Sequence, residues 1–361
     1  MISTCSSFIF RLARLVRLLV RLLVRLLVQF LVRFTALSLV APMLLVSVLF
    51  SHPAGATPES DAAQSLAIEA ENLLDKWNGE RGVLIEANKK IVEALKKEPK
   101  TMNALVQQGR LFIMAGYEDG ELSRDAARAA ENSLTSAVIA DPKSAKPYIL
   151  LGHLYTLTSR LPEAKAMLTQ AENLPVGSSD PWLYLNWNAY YQAVDNDVKR
   201  FEYARRALET NTKNPKALKV IYAEMQNFYV MQARNRAKAD EFYNKLVELQ
   251  PGDAFQRGNY ALHLVIYFSD FEAGERLAEE ALAIREYGHA RQTLSLAHYA
   301  RWADAAAKGK DKATVDKLLA VATAYDPGAK MLPSCALTHA PLFPLVEALK
   351  KKGLYGNGMR C

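Results

Sequence analysis

Small side chains recur at regular intervals among larger apolar residues along most of the chain. In the segment 145–175, Gly152 and Ala164 are 12 residues apart, and Leu168 and Ala171 follow at the spacing of one helix face. Apolar residues that return every three or four positions predict amphipathic helices. Prolines stand between these runs in Asp-Pro and Asn-Pro dipeptides, where they end helices because proline has no N–H to donate. No alternating strand pattern intervenes in the sequence, so the pattern predicts a nearly all-α protein.

The spacing in this segment resembles the tetratricopeptide repeat (TPR), a 34-residue helix–turn–helix unit. With Ala145 as position 1, the residues at positions 4, 7, 8, 11, 20, 24 and 27 are Tyr148, Leu151, Gly152, Tyr155, Ala164, Leu168 and Ala171. The second-helix part of the pattern, with its closing proline, recurs as Ala87, Ile91, Ala94 and Pro99, as Ala130, Leu134, Ala137 and Pro142, and as Ala239, Tyr243, Leu246 and Pro251. First helices are less regular, and the small position 8 falls on Gly109, Asn186, Ala223, Ala261 and Ala297.

This resemblance implies a right-handed α-solenoid of about six to seven degenerate TPR-like units over residues 70–330. The first helices of such units line a concave face, which typically binds an extended peptide or a helix of a partner protein. Positions 9 and 12 of these helices face that surface in the family. The candidate partner-binding residues are Arg110, His153, Trp187, Tyr190, Glu224, Asn227, His298 and Arg301. Among them, Trp187 and Tyr190 are expected to be partly exposed.

Charge argues against a nucleic-acid partner. The formal net charge is +7, but residues 1–56 contain six arginines and no lysine or acidic residue. Without these six, 39 basic and 38 acidic residues remain, a net charge of +1. Since a nearly neutral body does not predict a basic groove, we expect a protein or peptide partner.

The N-terminal 56 residues have the features of a separate targeting segment. An arginine-rich region precedes an apolar core at residues 34–50, and the small residues Ala54 and Ala56 flank Gly55. This order predicts a secretory signal peptide and an exported protein, periplasmic in a Gram-negative cell. Two alternatives are an uncleaved anchor in the inner membrane, formed by residues 34–50, and a translation start at Met43. The remaining chain divides into a short linker or helix start at 57–69, the solenoid, and a C-terminal capping tail at 331–361.

The remaining chemistry predicts no catalysis. Cys335 and Cys361 are the two cysteines outside the targeting segment, and in an oxidising compartment they are expected to form one disulfide. The sequence contains no Walker loop, no nucleophile elbow and no histidine pair at metal-ligand spacing. We therefore expect a scaffold or adaptor without enzyme activity or cofactor. The alternatives are a membrane-anchored assembly factor for an envelope complex, and a helical-hairpin hydrolase or carbohydrate-binding protein.

Overall fold

A computed structural model describes residues 58–118, 120–175 and 177–358. The chain divides into two units, Met1–Thr57 and Pro58–Cys361, and the described helices belong to the second. The predicted signal or anchor segment at 1–56 and Cys361 lie outside the described residues. Among the helices that the structure describes, none is long and apolar enough to cross a membrane.

The described part of the second unit is built almost entirely from α-helices. They are α1 (Pro58–Lys76), α2 (Arg81–Lys97), α3 (Met102–Ala115), α4 (Arg124–Ala140), α5 (Ala145–Leu157), α6 (Leu161–Glu172), α7 (Pro181–Ala193), α8 (Asp197–Glu209), α9 (Pro215–Met231), α10 (Arg236–Leu249), α11 (Ala254–Phe268), α12 (Phe271–Ile284), α13 (Gly288–Ala307), α14 (Lys312–Tyr325) and α15 (Phe343–Lys351). A short antiparallel ladder of β1 (Tyr117–Glu118) and β2 (Glu121–Leu122) lies between α3 and α4.

Consecutive helices pack as seven hairpins, from α1 with α2 to α13 with α14. First helices also contact the first helices of adjacent hairpins, for example α1 with α3 and α11 with α13. This arrangement confirms the all-α repeat fold. The first hairpin begins at Pro58, so most of the segment 57–69, predicted as a linker or helix start, belongs to α1.

Acidic and amide side chains set where many of these helices begin. In seven helices an Asp or Asn before the first turn accepts a hydrogen bond from a backbone N–H of that turn, which would otherwise have no partner within the helix. The capping residues are Asp180, Asn196, Asn214, Asn235, Asp253, Asp270 and Asp311.

Small residues allow the two helices of a hairpin to approach closely. A Cβ atom added to Gly152 would lie 2.5 Å from Cδ2 of the buried Leu168, and one added to Gly109 would lie 2.5 Å from Cγ of the buried Leu134. Carbon atoms normally stay about 3.5–4.0 Å apart. A side chain larger than that of glycine at position 8 would therefore clash with the second helix in these two hairpins.

The aromatic helix α7 is displaced by two residues from the predicted register. The side chain of Asn188 donates through Nδ2 to the backbone oxygen of Arg200 at 3.0 Å, and Arg200 follows Asn188 by 12 residues. Arg200, Ala204 and Ala207 then have the spacing of positions 20, 24 and 27. Position 8 of this hairpin is therefore Asn188 and not Asn186. Polar residues replace the usual small residues at positions 8 and 20. The pattern of small residues in the sequence therefore does not indicate the register of this hairpin.

The C-terminal tail packs against the last hairpin. Ala329, Leu332, Leu342, Leu345 and Leu349 are buried in one apolar cluster with residues of α11 and α13. This segment therefore covers apolar surface of the last hairpin, and the capping role of residues 331–361 stays a prediction.

The structure describes one of the two cysteines of the predicted disulfide. Cys335 is disulfide-bonded, whereas Cys361 lies outside the described residues. The pairing of Cys335 with Cys361 therefore stays a prediction.

Candidate functional site

A groove of about 610 Å³ opens between the first helices of the N-terminal hairpins. Residues of α1, α3, α5 and α7 line it, and the beginning of α9 closes one side. We call it the N-terminal groove. Its floor is apolar and is formed by Val106, Ile113, Ile149, Leu150 and the half-buried ring of Trp182.

The charged side chains on one wall of the N-terminal groove are paired with each other. Arg110 Nη2 lies 2.6 Å from Asp75 Oδ1, and Lys146 Nζ lies 2.9 Å from Glu71 Oε1. Both carboxylates project from α1, while the two cations come from α3 and α5. The pairs join the first three hairpins, and they neutralise the charge that each helix brings to the groove.

Lys216 connects the two ends of the groove. Its Nζ donates to the backbone oxygens of Trp77, at 2.7 Å, and Leu74, at 3.4 Å. These carbonyls lie at the C-terminal end of α1, where helix carbonyls have no partner within the helix and the helix dipole favours a cation. Burial, and secondarily the charge of Arg110, lowers the pKa of Lys216. The contact brings the first and fifth hairpins together across the groove.

Two polar atoms in the groove are buried without a hydrogen-bond partner among the described residues. They are Oε1 of Gln107, whose side chain belongs to a residue that is 1% exposed, and Nε1 of Trp77. A buried polar group without a partner is unusual, because leaving it unpaired costs about 1–3 kcal/mol. One atom is an acceptor and the other a donor, and both have almost no accessible surface.

His153 lies on the groove side of α5 and is hydrogen-bonded to Asn186. Burial lowers the pKa of His153, and the bond to Asn186 opposes this only in part. A histidine whose pKa is lowered from 6.5 is neutral at pH 7. His153 therefore adds polarity to the groove but no charge.

Of the eight predicted partner-binding residues, the N-terminal groove contains Arg110 and His153. Trp187 is buried, with 3% of its surface exposed, so the expectation that it is partly exposed is wrong. The two-residue register shift explains the error, since it turns Trp187 into the hairpin and Trp182 towards the groove. Tyr190 is half-buried, as expected, and its ring meets that of Trp187 edge-on with centroids 5.5 Å apart.

Glu224 is held in a polar cluster outside the N-terminal groove. Its carboxylate accepts two hydrogen bonds from Arg200, from Nε and Nη2 at 2.8 Å, and one from Asn188 Nδ2 at 3.0 Å. The cluster joins the fourth and fifth hairpins at the place where other hairpins use small residues. Asn227, the next predicted residue, is half-buried on the same helix.

His298 and Arg301 face the preceding hairpin. His298 Nδ1 lies 2.9 Å from Glu275 Oε1, and Arg301 Nη1 lies 3.0 Å from Glu275 Oε2. Burial would raise the pKa of Glu275, but hydrogen bonds from both residues outweigh it and lower the pKa. These side chains bind within the chain, and their role in partner binding stays a prediction.

Sequence reasoning missed several groove residues. Gln107 occupies position 6 of a first helix, which is not one of the positions that face the concave surface in the family pattern, and Trp77 follows the end of α1. Lys216 is the second residue of α9, directly after the Asn-Pro pair at which the helix begins. No signal in the sequence indicated that this end of α9 contacts the first hairpin.

Comparisons with known proteins give similarity of fold. No family model and no curated protein matches the chain. Among solved structures, the Cut9–Hcn1 hetero-tetramer of the APC/C matches with a TM-score of 0.51 and 18% identity, over 66% of this chain and 46% of that chain. PilF of Pseudomonas aeruginosa matches with a TM-score of 0.47 and 15% identity, over 63% and 94% of the two chains. A thermophilic TPR protein of Thermus thermophilus matches with a TM-score of 0.43 and 21% identity, over 56% and 100%.

At these identities the similarity concerns the fold alone. It agrees with the helix packing, in which glycine and alanine occupy TPR positions in several of the described hairpins. The chain is therefore an all-α protein of the tetratricopeptide-repeat fold.

Proposed function

We propose that this protein is an exported scaffold that binds a segment of a partner protein in the N-terminal groove, without catalysis. The observation that carries the proposal is the groove itself, with an apolar floor and paired charges on its wall. Concave sites of 300–1,000 Å³ are typical binding sites, and the groove falls in this range at about 610 Å³.

Export is proposed from the order of features in the first 56 residues. The small residues Ala54 and Ala56 stand directly before the unit that begins at Pro58, so cleavage after Ala56 would release an intact helical unit. N-terminal sequencing of the protein from its native cell should give a chain that starts at Thr57. A chain that retains residues 34–50 and resists carbonate extraction from membranes would instead support the anchored assembly factor.

Partner binding can be tested by photo-crosslinking from inside the groove. A benzoylphenylalanine at position 182 replaces the half-buried Trp182 on the groove floor, and the matched control at Val198, 74% exposed on α8, lies outside the groove lining. We expect crosslinked protein from position 182 and none from position 198, with the captured peptide identified by mass spectrometry. The same products from both positions, or only saccharide at position 182, would contradict the proposal.

A further inference from the structure

We infer that residues 336–351, which follow the last hairpin, form a cover over the first helices α11 and α13 that opens in acid, with His339 as the residue that releases it. We call these residues the covering segment. The inference goes beyond the proposed function, because it concerns the last two hairpins and not the N-terminal groove. Three observations lead to it: the helices that the segment packs on, its fixed ends and the side chains around His339.

The covering segment packs on first helices. Its helix α15 contacts α13, and the short helical turn before α15 contacts α11. Leu342, Leu345 and Leu349 are each 1% exposed, and they share one apolar cluster with Val265 of α11 and Trp302 of α13. First helices line the concave face of a helical-repeat array. The segment therefore occupies surface that the last two hairpins would otherwise present on that face.

Both ends of the covering segment are fixed to the turn that follows α14. Before the segment, the carboxylate of Asp326 accepts hydrogen bonds from the backbone N–H of Lys330 at 2.9 Å and from Ser295 Oγ at 2.6 Å. After the segment, Asn357 Nδ2 donates to the backbone oxygen of Gly328 at 3.1 Å. The segment can lift from α11 and α13 without breaking these contacts. Its opening is therefore a local, reversible event and not the unfolding of a hairpin.

His339 contacts α11 through Tyr267. The two rings meet edge-on with centroids 5.1 Å apart, and the guanidinium carbon of Arg234 lies 4.3 Å from the centroid of the same tyrosine ring. His263, one turn earlier in α11, contacts Tyr267 with ring centroids 5.7 Å apart. The Nδ1 atom of His263 is buried without a partner among the described residues. One arginine and two histidines therefore surround one tyrosine ring.

The surroundings of His339 disfavour a positive charge. Burial, and secondarily the charge of Arg234, lowers the pKa of His339, and burial lowers the pKa of His263. Among the described residues, no carboxylate opposes the effect of Arg234 on His339. Carboxylates on the neighbouring elements are paired with other cations: Asp240 and Asp270 with Arg236, Glu272 and Glu275 with Arg301, Asp304 with Lys308, and Glu347 with Lys350.

Closure of the covering segment must therefore weaken in acid. When the segment lifts, His339 moves away from Arg234 and into water, so its pKa returns towards 6.5. The open state then binds a proton more tightly than the closed state. The stabilisation of the closed state is fully present above about pH 6.5 and falls as the pH falls below it. Each unit by which closure lowers a pKa reduces the closing equilibrium about tenfold at low pH.

Hydrogen exchange measured by mass spectrometry tests this on the protein as purified from its native cell. Protection of the covering segment is compared with that of α1–α4 at pH 7.5 and pH 5.0, after correction for the intrinsic exchange rate at each pH. We expect protection of the covering segment to fall about tenfold more than that of α1–α4. An equal fall in both regions would show that acid destabilises the whole unit and would overturn the inference.

Variants connect the acid response to His339. His339→Phe keeps an aromatic ring against Tyr267 but cannot be protonated, so the additional loss at pH 5.0 should shrink to less than about threefold. His339→Lys is positively charged at both pH values and should lower protection of the covering segment about tenfold already at pH 7.5. The matched control is His289→Phe, because His289 is exposed at the start of α13 and contacts Tyr287 instead. This control should respond to acid as the wild type does.

Circular dichroism verifies that the variants are folded, and if His339→Lys is not, His339→Phe decides the test. An acid response in His339→Phe equal to that of the wild type would overturn the inference, as would a covering segment that is equally protected at both pH values. These results do not depend on crosslinking from position 182, which tests the proposed function separately.

Discussion

The close approach of α5 and α6 at Gly152 gives a sharp test of the repeat register. A Cβ at this position would lie 2.5 Å from Leu168 Cδ2 and 2.6 Å from Leu168 Cγ. The shortfall from a normal carbon–carbon contact is about 1 Å, and Leu168 is fully buried, so it has little room to move. Overpacking costs about 1–3 kcal/mol, whereas replacing a helical glycine by alanine gains up to about 1 kcal/mol.

We therefore expect Gly152→Ala to lower the free energy of unfolding by about 1–2 kcal/mol, measured by urea unfolding followed by circular dichroism. Leu168→Ala alone should cost about 2–5 kcal/mol, because it leaves a cavity. In the Leu168→Ala background, Gly152→Ala should be neutral or stabilising, since the clashing side chain has gone. The double-mutant cycle thus predicts a coupling of about 2 kcal/mol between the two sites.

Gly82→Ala is the matched control. Gly82 is also helical, in α2, but a Cβ there would have no atom within 4 Å, so its replacement should be neutral or stabilising. The reasoning is refuted if Gly152→Ala destabilises equally with and without Leu168, or if it stabilises the protein as Gly82→Ala does. Either result would mean that α5 and α6 do not pack through position 8.

Three further predictions follow from the other contacts. Glu224→Ala should cost about 3 kcal/mol in urea unfolding, because it leaves the guanidinium of Arg200, whose side chain is 12% exposed, without its two-bond partner; a loss below about 0.5 kcal/mol, as at an exposed pair, would contradict this. Burial lowers the pKa of His263 to about 4, so between about pH 6.5 and pH 4 the unfolded chain binds more protons and stability falls as the pH falls. The His263→Phe variant should show a smaller dependence than the wild type when urea midpoints are compared at pH 4.5 and 7.5, because His153 and His339, whose pKa values burial also lowers, contribute in the same direction. Peptide mapping without reductant should link Cys335 to Cys361, and reduction should then lower the free energy of unfolding by about 2–4 kcal/mol; a mass that shows two free thiols would rule the bridge out.

The helices and their pairing could be predicted from the sequence because both depend on short-range spacing. Gly152, Ala164 and Leu168 stand within 16 residues of one another, and their sizes alone predict which faces meet. The same reasoning failed in α7, where Asn188 and Arg200 replace the small residues. In this hairpin a hydrogen bond joins the two helices where close packing of small residues joins them in other hairpins. A pattern of residue sizes does not predict such a hydrogen bond.

The site could be predicted only in part. Arg110 and His153 were found because they occupy groove positions in hairpins of regular register. Gln107 was missed because an uncharged residue at position 6 does not stand out in the repeat pattern, although its Oε1 is buried without a partner among the described residues. The exposure of Trp187 was predicted wrongly because of a shift of only two residues, since two residues correspond to about 200° of helix rotation and so to the opposite face.

By itself, the sequence determined that this chain folds as helical hairpins with small residues at their crossings, because helix period and side-chain size act over a few turns. Only the tertiary structure decided where the groove closes and what it contains. Lys216 meets the carbonyl of Trp77 across 139 residues, and that contact depends on how each hairpin is rotated on the one before it. Small rotations between neighbouring repeats add up over the whole array. The relative position of distant hairpins therefore cannot be predicted from any short segment of the sequence.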